Sequence, residues 1–369
     1  MLARRDLLVG SGALLAAAPL FVRNAIADWA PISLAEAGLP DDLGARVDRF
    51  VRPKNIHGVV IVRRGRMAFE RYYEGEDAVR IGDGRTRTEI VSFTAERSHE
   101  LRSVTKSIVG LLYGIALADG KVPPLDARLL AQFPQYVDLP DMAQRQRWTI
   151  AHAITMTLGI DWNEEISYDD PRNGQTAMEV APDRYRYVLE QPIVAVAGER
   201  WIYCGGATTL VGRIIEKGVG QAIHDYARAV LFDPLGIGPT EWRSVRDGEP
   251  IFASGAAMRP RDLARIGQML LDGGRVGARQ VVPADWLAAS FKPGVGINDR
   301  RQYGYHWYVG NISSGPRRGM RWIAAMGNGG QRLAIFPELE LVLVVTAGSY
   351  NRRSYADDLI GDVILASLS

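Results

Sequence analysis

Cysteine is nearly missing from this chain: Cys204 stands alone, which excludes an internal disulfide in any compartment. Histidine is scarce as well. His57, His99, His152, His224 and His306 complete the set, no two stand at helical ligand spacing, and no His-Glu-x-x-His occurs, so no metal is expected. Neither a P-loop nor a dinucleotide fingerprint is present, and no cofactor is expected. The absence of Gly-x-Ser-x-Gly leaves an α/β-hydrolase nucleophile elbow without support. An excess of one charge is lacking too. With 44 basic and 42 acidic residues interspersed, the net charge of +2 provides no broad basic face for nucleic acid. Repeats, low-complexity tracts and Pro/Gly-rich linkers are also absent.

What is present suits a folded enzyme-sized unit. At 369 residues, with 47% hydrophobic and 23% charged side chains, the chain can bury a large core and divide into two lobes. The first residues stand apart: Arg4-Arg5, an apolar stretch from Leu7 to Val22, and a small-residue site at Ala25-Ile26-Ala27. This three-part pattern predicts a signal peptide over residues 1–27, of the twin-arginine type, with cleavage after Ala27. The apolar stretch is short for a membrane span and is broken by Pro19. The expected location is periplasmic or secreted, with no stable membrane insertion after cleavage.

One lysine interrupts a long apolar run in HELRSVTKSIVGLLYGIALADGKV, residues 99–122. Ile108, Val109, Leu111, Leu112, Ile115 and Leu117 spread around the helical wheel, which predicts a helix from Ser103 to Leu117 buried on most sides. Asp119-Gly120 supplies the stop. Ser103 then falls in the first turn, and Lys106, three residues on, lies on the same face. A lysine inside a buried helix needs a partner. Desolvation and the positive end of the helix dipole both favour a neutral amine, able to take a proton from Ser103 as it attacks a carbonyl. The plain alternative is that Ser103 is a helix N-cap.

Around this helix the pattern changes twice. Leu43 to Val51 reads as a helix, and HGVVIVRRG and RMAFERYYEG read as two strands around Arg64-Gly65. From about Ser98 to Trp242 helical periods dominate, at Asp126 to Gln132, Ile150 to Thr157, Pro182 to Glu190 and Ala207 to Lys217. Strands return as YGYHWYVG, MRWIAAMG, RLAIFP and LELVLVVTAG, before a closing helix from Tyr355 to Leu368. Short connections imply antiparallel pairing, with the first and last strands sharing one sheet. The predicted fold is α/β: an antiparallel sheet flanked by helices, about 40–97 and 250–369, with an all-α lobe inserted at about 98–249. A cleft between the lobes is the expected site.

Two further stretches are glycine-rich where their neighbours are regular. In GERWIYCGGATTLVGRIIEKGVG, residues 198–220, Tyr203 precedes Gly205-Gly206 and a helix, where its hydroxyl can pass a proton to a leaving group or remain a half-buried aromatic. AMGNGGQRLAIFP, residues 325–337, leads into a strand whose edge a substrate backbone can approach, or is an ordinary hairpin turn. Together, in this order and at these separations, the three stretches resemble the serine β-lactamase and penicillin-binding-protein superfamily. The likeness spans nearly the whole mature chain. It is nearest the class C-like esterases and the 6-aminohexanoate-dimer (nylon oligomer) hydrolases, through TIAHAITMTLGIDWNEE, AAMRPRDLARIGQMLLDGGR and GNGGQRLAIFPELELVLVVTAG.

The resemblance implies a β-lactamase-like two-lobed fold in which Ser103 is the nucleophile, Lys106 the base and Tyr203 the acid. It implies an oxyanion hole from the backbone amides of Ser103 and Asn328, and substrate contacts at Gly205, Gly327 and Tyr168. The family's Tyr-x-Asn or Tyr-x-Ser matches Tyr203-Cys204-Gly205, and its Lys-Thr-Gly or His-x-Gly matches Ala325-Met326-Gly327. Gly205 thus lacks the usual Asn or Ser side chain, so that Lys106 is held differently, by a water for instance. Ala325 lacks the lysine that binds a substrate carboxylate, which ranks plain ester or amide hydrolysis above lactam hydrolysis; Arg332 is one candidate to substitute. Cys204 reads as a small packed thiol. The implied partner is a small-molecule ester, amide or peptide-like substrate. β-Lactamase or D,D-peptidase activity, or a non-catalytic ligand-binding or sensor role, are the alternatives.

Overall fold

The computed structural model describes residues 29–80, 86–245 and 248–368. The expected signal segment, 1–27, lies outside them. After α1 (Leu43–Val51), strands β1 (Ile56–Arg63) and β2 (Arg66–Tyr72) form the expected hairpin, turning through Arg64 and Gly65, both at positive φ. A second hairpin, β3 (Glu74–Arg80) and β4 (Thr86–Ser92), follows, and then the short β5 (His99–Glu100). The helical region holds α2 (Val104–Ala118), α3 (Met142–Arg145), α4 (Ile150–Ile154), α5 (Gly174–Val180), α6 (Arg184–Glu190), α7 (Gly205–Val219) and α8 (Ile223–Ala227). Strands β6 (Glu241–Trp242) and β7 (Ala256–Met258) pair in a small sheet with β5.

The remainder returns to the main sheet. Helix α9 (Pro260–Leu271), the small hairpin β8 (Arg275–Val276) and β9 (Arg279–Gln280), and α10 (Ala284–Phe291) lead into β10 (Val295–Asn298), β11 (Arg301–Tyr303), β12 (Tyr308–Asn311), β13 (Arg321–Gly327), β14 (Gln331–Phe336) and β15 (Leu341–Ala347). The eight-stranded sheet runs β10-β11-β12-β13-β14-β15-β1-β2, with every neighbouring pair antiparallel. The chain closes with α11 (Ala356–Asp358), continued by wider turns over Leu359–Leu365.

Strand periodicity divides the interior in two. On β1, Val60 and Val62 face the core shared with α2, α7 and α9, whereas Val59 and Ile61 face the core under α1 and the C-terminal helix. On β14, Leu333 and Ile335 take the first side, and Ala334 and Phe336 the second. Both faces of the central strands are therefore apolar, which is why β1 and β15 read as unbroken hydrophobic runs.

Three expectations required adjustment. YGYHWYVG is two strands, not one, because Gly304 to Trp307 form a turn in which His306 takes a positive φ. Asp126 to Gln132 keeps only a short 3-10 turn, Leu130–Gln132. The hairpin β3–β4 was not foreseen; β4 is largely exposed, so it shows no alternating apolar face.

Candidate active site

Ser103 occupies the N-cap position of α2, yet its side chain caps no backbone N–H of the helix. The hydroxyl is instead joined to Lys106 by a hydrogen bond of 3.0 Å between Nζ and Oγ. The second partner of Nζ is the carbonyl oxygen of Ala253, at 3.1 Å. Lys106 is buried, and among the described residues no carboxylate reaches ion-pair distance from it. Burial holds its ammonium below the ordinary lysine range, opposed by the charge of Glu164. An ammonium has three hydrogens to place and finds two acceptors. A neutral amine donates one hydrogen to the Ala253 carbonyl and offers its lone pair to the Ser103 hydroxyl, which suits the observed pair of contacts.

Tyr203 stands over the same pair, with Lys106 Nζ 4.9 Å from its ring centroid. Burial pushes its phenol above the usual tyrosine range, and the nearby Ser103 hydroxyl pulls the other way. Burial thus acts on the two groups in opposite senses, favouring the neutral amine and the neutral phenol. Groups shifted apart in this way have the chemistry of a base and an acid.

The backbone amides of Ser103 and Asn328 make no hydrogen bond among the described residues. Gly327 lets the end of β13 approach the segment just before Ser103, because a Cβ there would meet the Leu101 carbonyl and lie 3.2 Å from Arg102 Cβ. The Asn328 side chain is tied down by two bonds to Asn351, at 2.9 and 3.0 Å. Ser103, Asn328, Tyr168, Gln175, Arg102 and Tyr350 share a polar cleft of about 440 Å³.

Gly205 is explained by residues that sequence reasoning missed. Glu164 is buried, and its Oε1 accepts from Trp162 Nε1 at 2.6 Å and from the Gly205 backbone N–H, while Oε2 accepts from Tyr168 at 3.0 Å. A Cβ on residue 205 would lie 2.6 Å from Glu164 Oε1 and 2.7 Å from Gln175 Oε1. The space of the absent side chain is filled by a carboxylate and an amide arriving from other segments. Gln175 in turn donates to Ser254, at 2.8 Å, beside the Ala253 carbonyl that holds Lys106. Lys106 is thus anchored by protein backbone. Glu164 was visible in WNEE, but no local pattern ties it to Gly205, 41 residues on.

The other sequence candidates fall into place by burial. Ala325 lies wholly in the core, paired with Leu333, and is not among the residues that line the cleft. Arg332 is paired with Asp357 at 2.8 Å, near the C-terminal helix, and is not a wall of the cleft. Cys204 is buried and accepts from the Ala207 N–H at 3.3 Å as the N-cap of α7. Tyr168 is half-buried, lines the cleft and is bound to Glu164.

Fold and site together define a serine hydrolase of the β-lactamase type. The chain belongs to the Beta-lactamase family, whose model matches residues 45–364. A 6-aminohexanoate-dimer hydrolase of Paenarthrobacter ureafaciens is 24% identical over 274 residues, a match that takes in 68% of this chain and 66% of that relative's length. Among solved structures, a class C beta lactamase from Rhodobacter sphaeroides superposes with a TM-score of 0.66 at 18% identity, covering 89% of this chain and all of the other. EstCE1, a hydrolase with promiscuous acyltransferase activity, gives 0.70 at 16% identity, covering 88% of this chain and 98% of its own. These structural likenesses speak to the fold. No helix among the described residues is long and apolar enough to cross a membrane.

Proposed function

We propose that the protein hydrolyses a linear ester or amide through an acyl-enzyme on Ser103. Lys106 takes the hydroxyl proton as Oγ attacks the carbonyl, the Ser103 and Asn328 amides receive the oxyanion, and Tyr203 protonates the departing alkoxide or amine. Water then enters on the same base and releases the acid, restoring Ser103. The observation that carries this reading is the 3.0 Å contact between a buried, carboxylate-free Lys106 amine and the Ser103 hydroxyl at the cleft. Ala325 and the engaged Arg332 support a linear substrate over a penicillin-like anion, because neither brings a cation to the third motif. The relative named for hydrolysis of a 6-aminohexanoate dimer agrees with that preference.

Mass spectrometry of the protein quenched during turnover of a slow ester tests the intermediate. The acyl mass is expected on the peptide containing Ser103; an adduct on any other residue, or none under conditions of measured turnover, contradicts it. Export by the Arg4-Arg5 signal belongs to the same proposal. Cell fractionation should find the protein outside the cytoplasm, and retention of an Arg4→Lys, Arg5→Lys variant inside would support the twin-arginine route.

A further inference from the structure

Away from the nucleophile, β1, β3 and β5 bring together His57, Asp77 and His99. The two imidazoles are in the interior, and His57 Nδ1 lies 2.9 Å from His99 Nε2. One ligand atom from each ring and a carboxylate oxygen of Asp77 all fall within 4.8 Å of one another. The hydrogen bonds at the outer edges of the rings decide what stands between them.

His57 Nε2 faces the Glu76 carbonyl oxygen at 3.0 Å and Asn55 Oδ1 at 3.2 Å. The Asn55 amide is fixed in orientation by Glu76: its Oδ1 accepts the Glu76 N–H at 2.8 Å, and its Nδ2 donates to the Glu76 carbonyl at 2.8 Å. Both neighbours of His57 Nε2 are therefore acceptors, and this nitrogen carries hydrogen. His99 Nδ1 faces the Glu100 carbonyl oxygen at 2.9 Å and carries hydrogen for the same reason. With the outer nitrogens of both neutral rings protonated, the inner two point lone pairs at each other across 2.9 Å. That arrangement repels unless a cation lies between them. A proton there would make one ring an imidazolium, whereas a metal ion would draw on the Asp77 carboxylate as a third donor. A metal ion needs both rings neutral.

We propose that His57 Nδ1, His99 Nε2 and an Asp77 oxygen form a binding site for a divalent transition metal of the zinc type. The donor set of two imidazoles and one carboxylate is one that zinc takes. The backbone carbonyls on the outer nitrogens fix the tautomers a metal requires, and Tyr350 orients the carboxylate by donating to Asp77 Oδ1 at 2.9 Å. Tetrahedral zinc with bonds of 2.0–2.1 Å needs its nitrogens about 3.3 Å apart, so the rings separate by about 0.4 Å on binding. Glu76 and Asp77 also line the cleft. The ion would tie the β3–β4 hairpin, one wall of the cleft, to β5, which leads through Arg102 directly to Ser103. Its role is to position that wall. The three residues are remote in sequence, 42 apart from first to last, so no motif announces them.

The test loads the chelator-treated full protein with zinc and counts bound metal by mass spectrometry, then repeats the loading with cobalt and records its visible spectrum. The expected result is one equivalent of zinc, a tetrahedral cobalt spectrum, and a thermal midpoint that rises with zinc. His99→Gln and the partly exposed Asp77→Asn should lose the equivalent, the spectrum and the thermal response together. No retained metal in micromolar excess zinc would overturn the site, as would full retention in both variants. A low-field imidazole N–H resonance between the rings that zinc leaves unchanged would also overturn it, with a proton filling the gap.

Discussion

Lys106 and Arg145 are both buried among the helices, and their surroundings differ. Lys106 is 1% exposed and Arg145 is 0% exposed. Arg145 sits in a closed corner, donating to the Pro140 and Gln191 carbonyls at 2.5 and 3.0 Å, over the Trp148 ring at 5.0 Å and 3.9 Å from Asp141. A guanidinium keeps its charge, and here backbone carbonyls accept from its Nε and Nη2. Lys106 has one carbonyl, one hydroxyl and a cleft beyond them. An amine so placed can be neutral, and its remaining partner is the hydroxyl proposed as the nucleophile. Burial by itself therefore does not mark a catalytic cation; the acceptors around it do.

The largest effect that sharpens this contrast is expected at Lys106. Lys106→Ala should lower kcat/KM by about 10²–10⁴-fold, the usual range for a lost general base, with thermal stability kept or raised because a desolvated amine is removed. A rate within threefold of the parent would remove Lys106 from the mechanism. Arg145→Ala should do the reverse. It should cost roughly 2–4 kcal/mol of stability through lost carbonyl partners and packing, with kcat per folded molecule unchanged. Denaturant unfolding beside active-site titration separates the two quantities.

A smaller effect is expected where Glu164 and Gln175 replace a missing side chain. Gly205→Asn should destabilise by about 1–3 kcal/mol, because its Cβ enters the space of both groups. Combining it with Glu164→Ala should recover part of that loss, and strict additivity in the double-mutant cycle would contradict the account. The smallest effect concerns pH. At low pH the Lys106 amine is protonated and inactive, and the rate should rise through an apparent pKa below that of free lysine, because burial disfavours the ammonium. Glu164 raises that pKa by its charge, so Glu164→Gln should move the limb to lower pH; a shift upward, or none, would show that Glu164 does not act on Lys106.

Much of the fold was legible because its periodicities are strong. The buried helix around Ser103, the first hairpin and the last three strands follow from apolar patterning, with α2 beginning at Val104 and ending at Ala118 before a Gly120 in the left-handed conformation. The β3–β4 hairpin escaped because an exposed ribbon has no face to bury, and β11 and β12 merged on paper because a turn at His306 carries no signal beyond Gly304. At the site, Ser103, Lys106 and Tyr203 stood out through motif and context. Glu164 and Gln175 did not, since their function depends on what a glycine leaves empty, which only the folded chain reveals. The cluster of His57, Asp77 and His99 was hidden for a similar reason: three strands distant in sequence assemble it.

The measurement that bears most directly on the central claim is hydrolysis of a short-chain nitrophenyl ester by the protein and by its Ser103→Ala variant, compared at equal concentrations of folded protein. Turnover by the parent that falls to the uncatalysed rate in the variant is the predicted result. Equal turnover by both, or none by either, would contradict the assignment of Ser103 as the nucleophile served by Lys106.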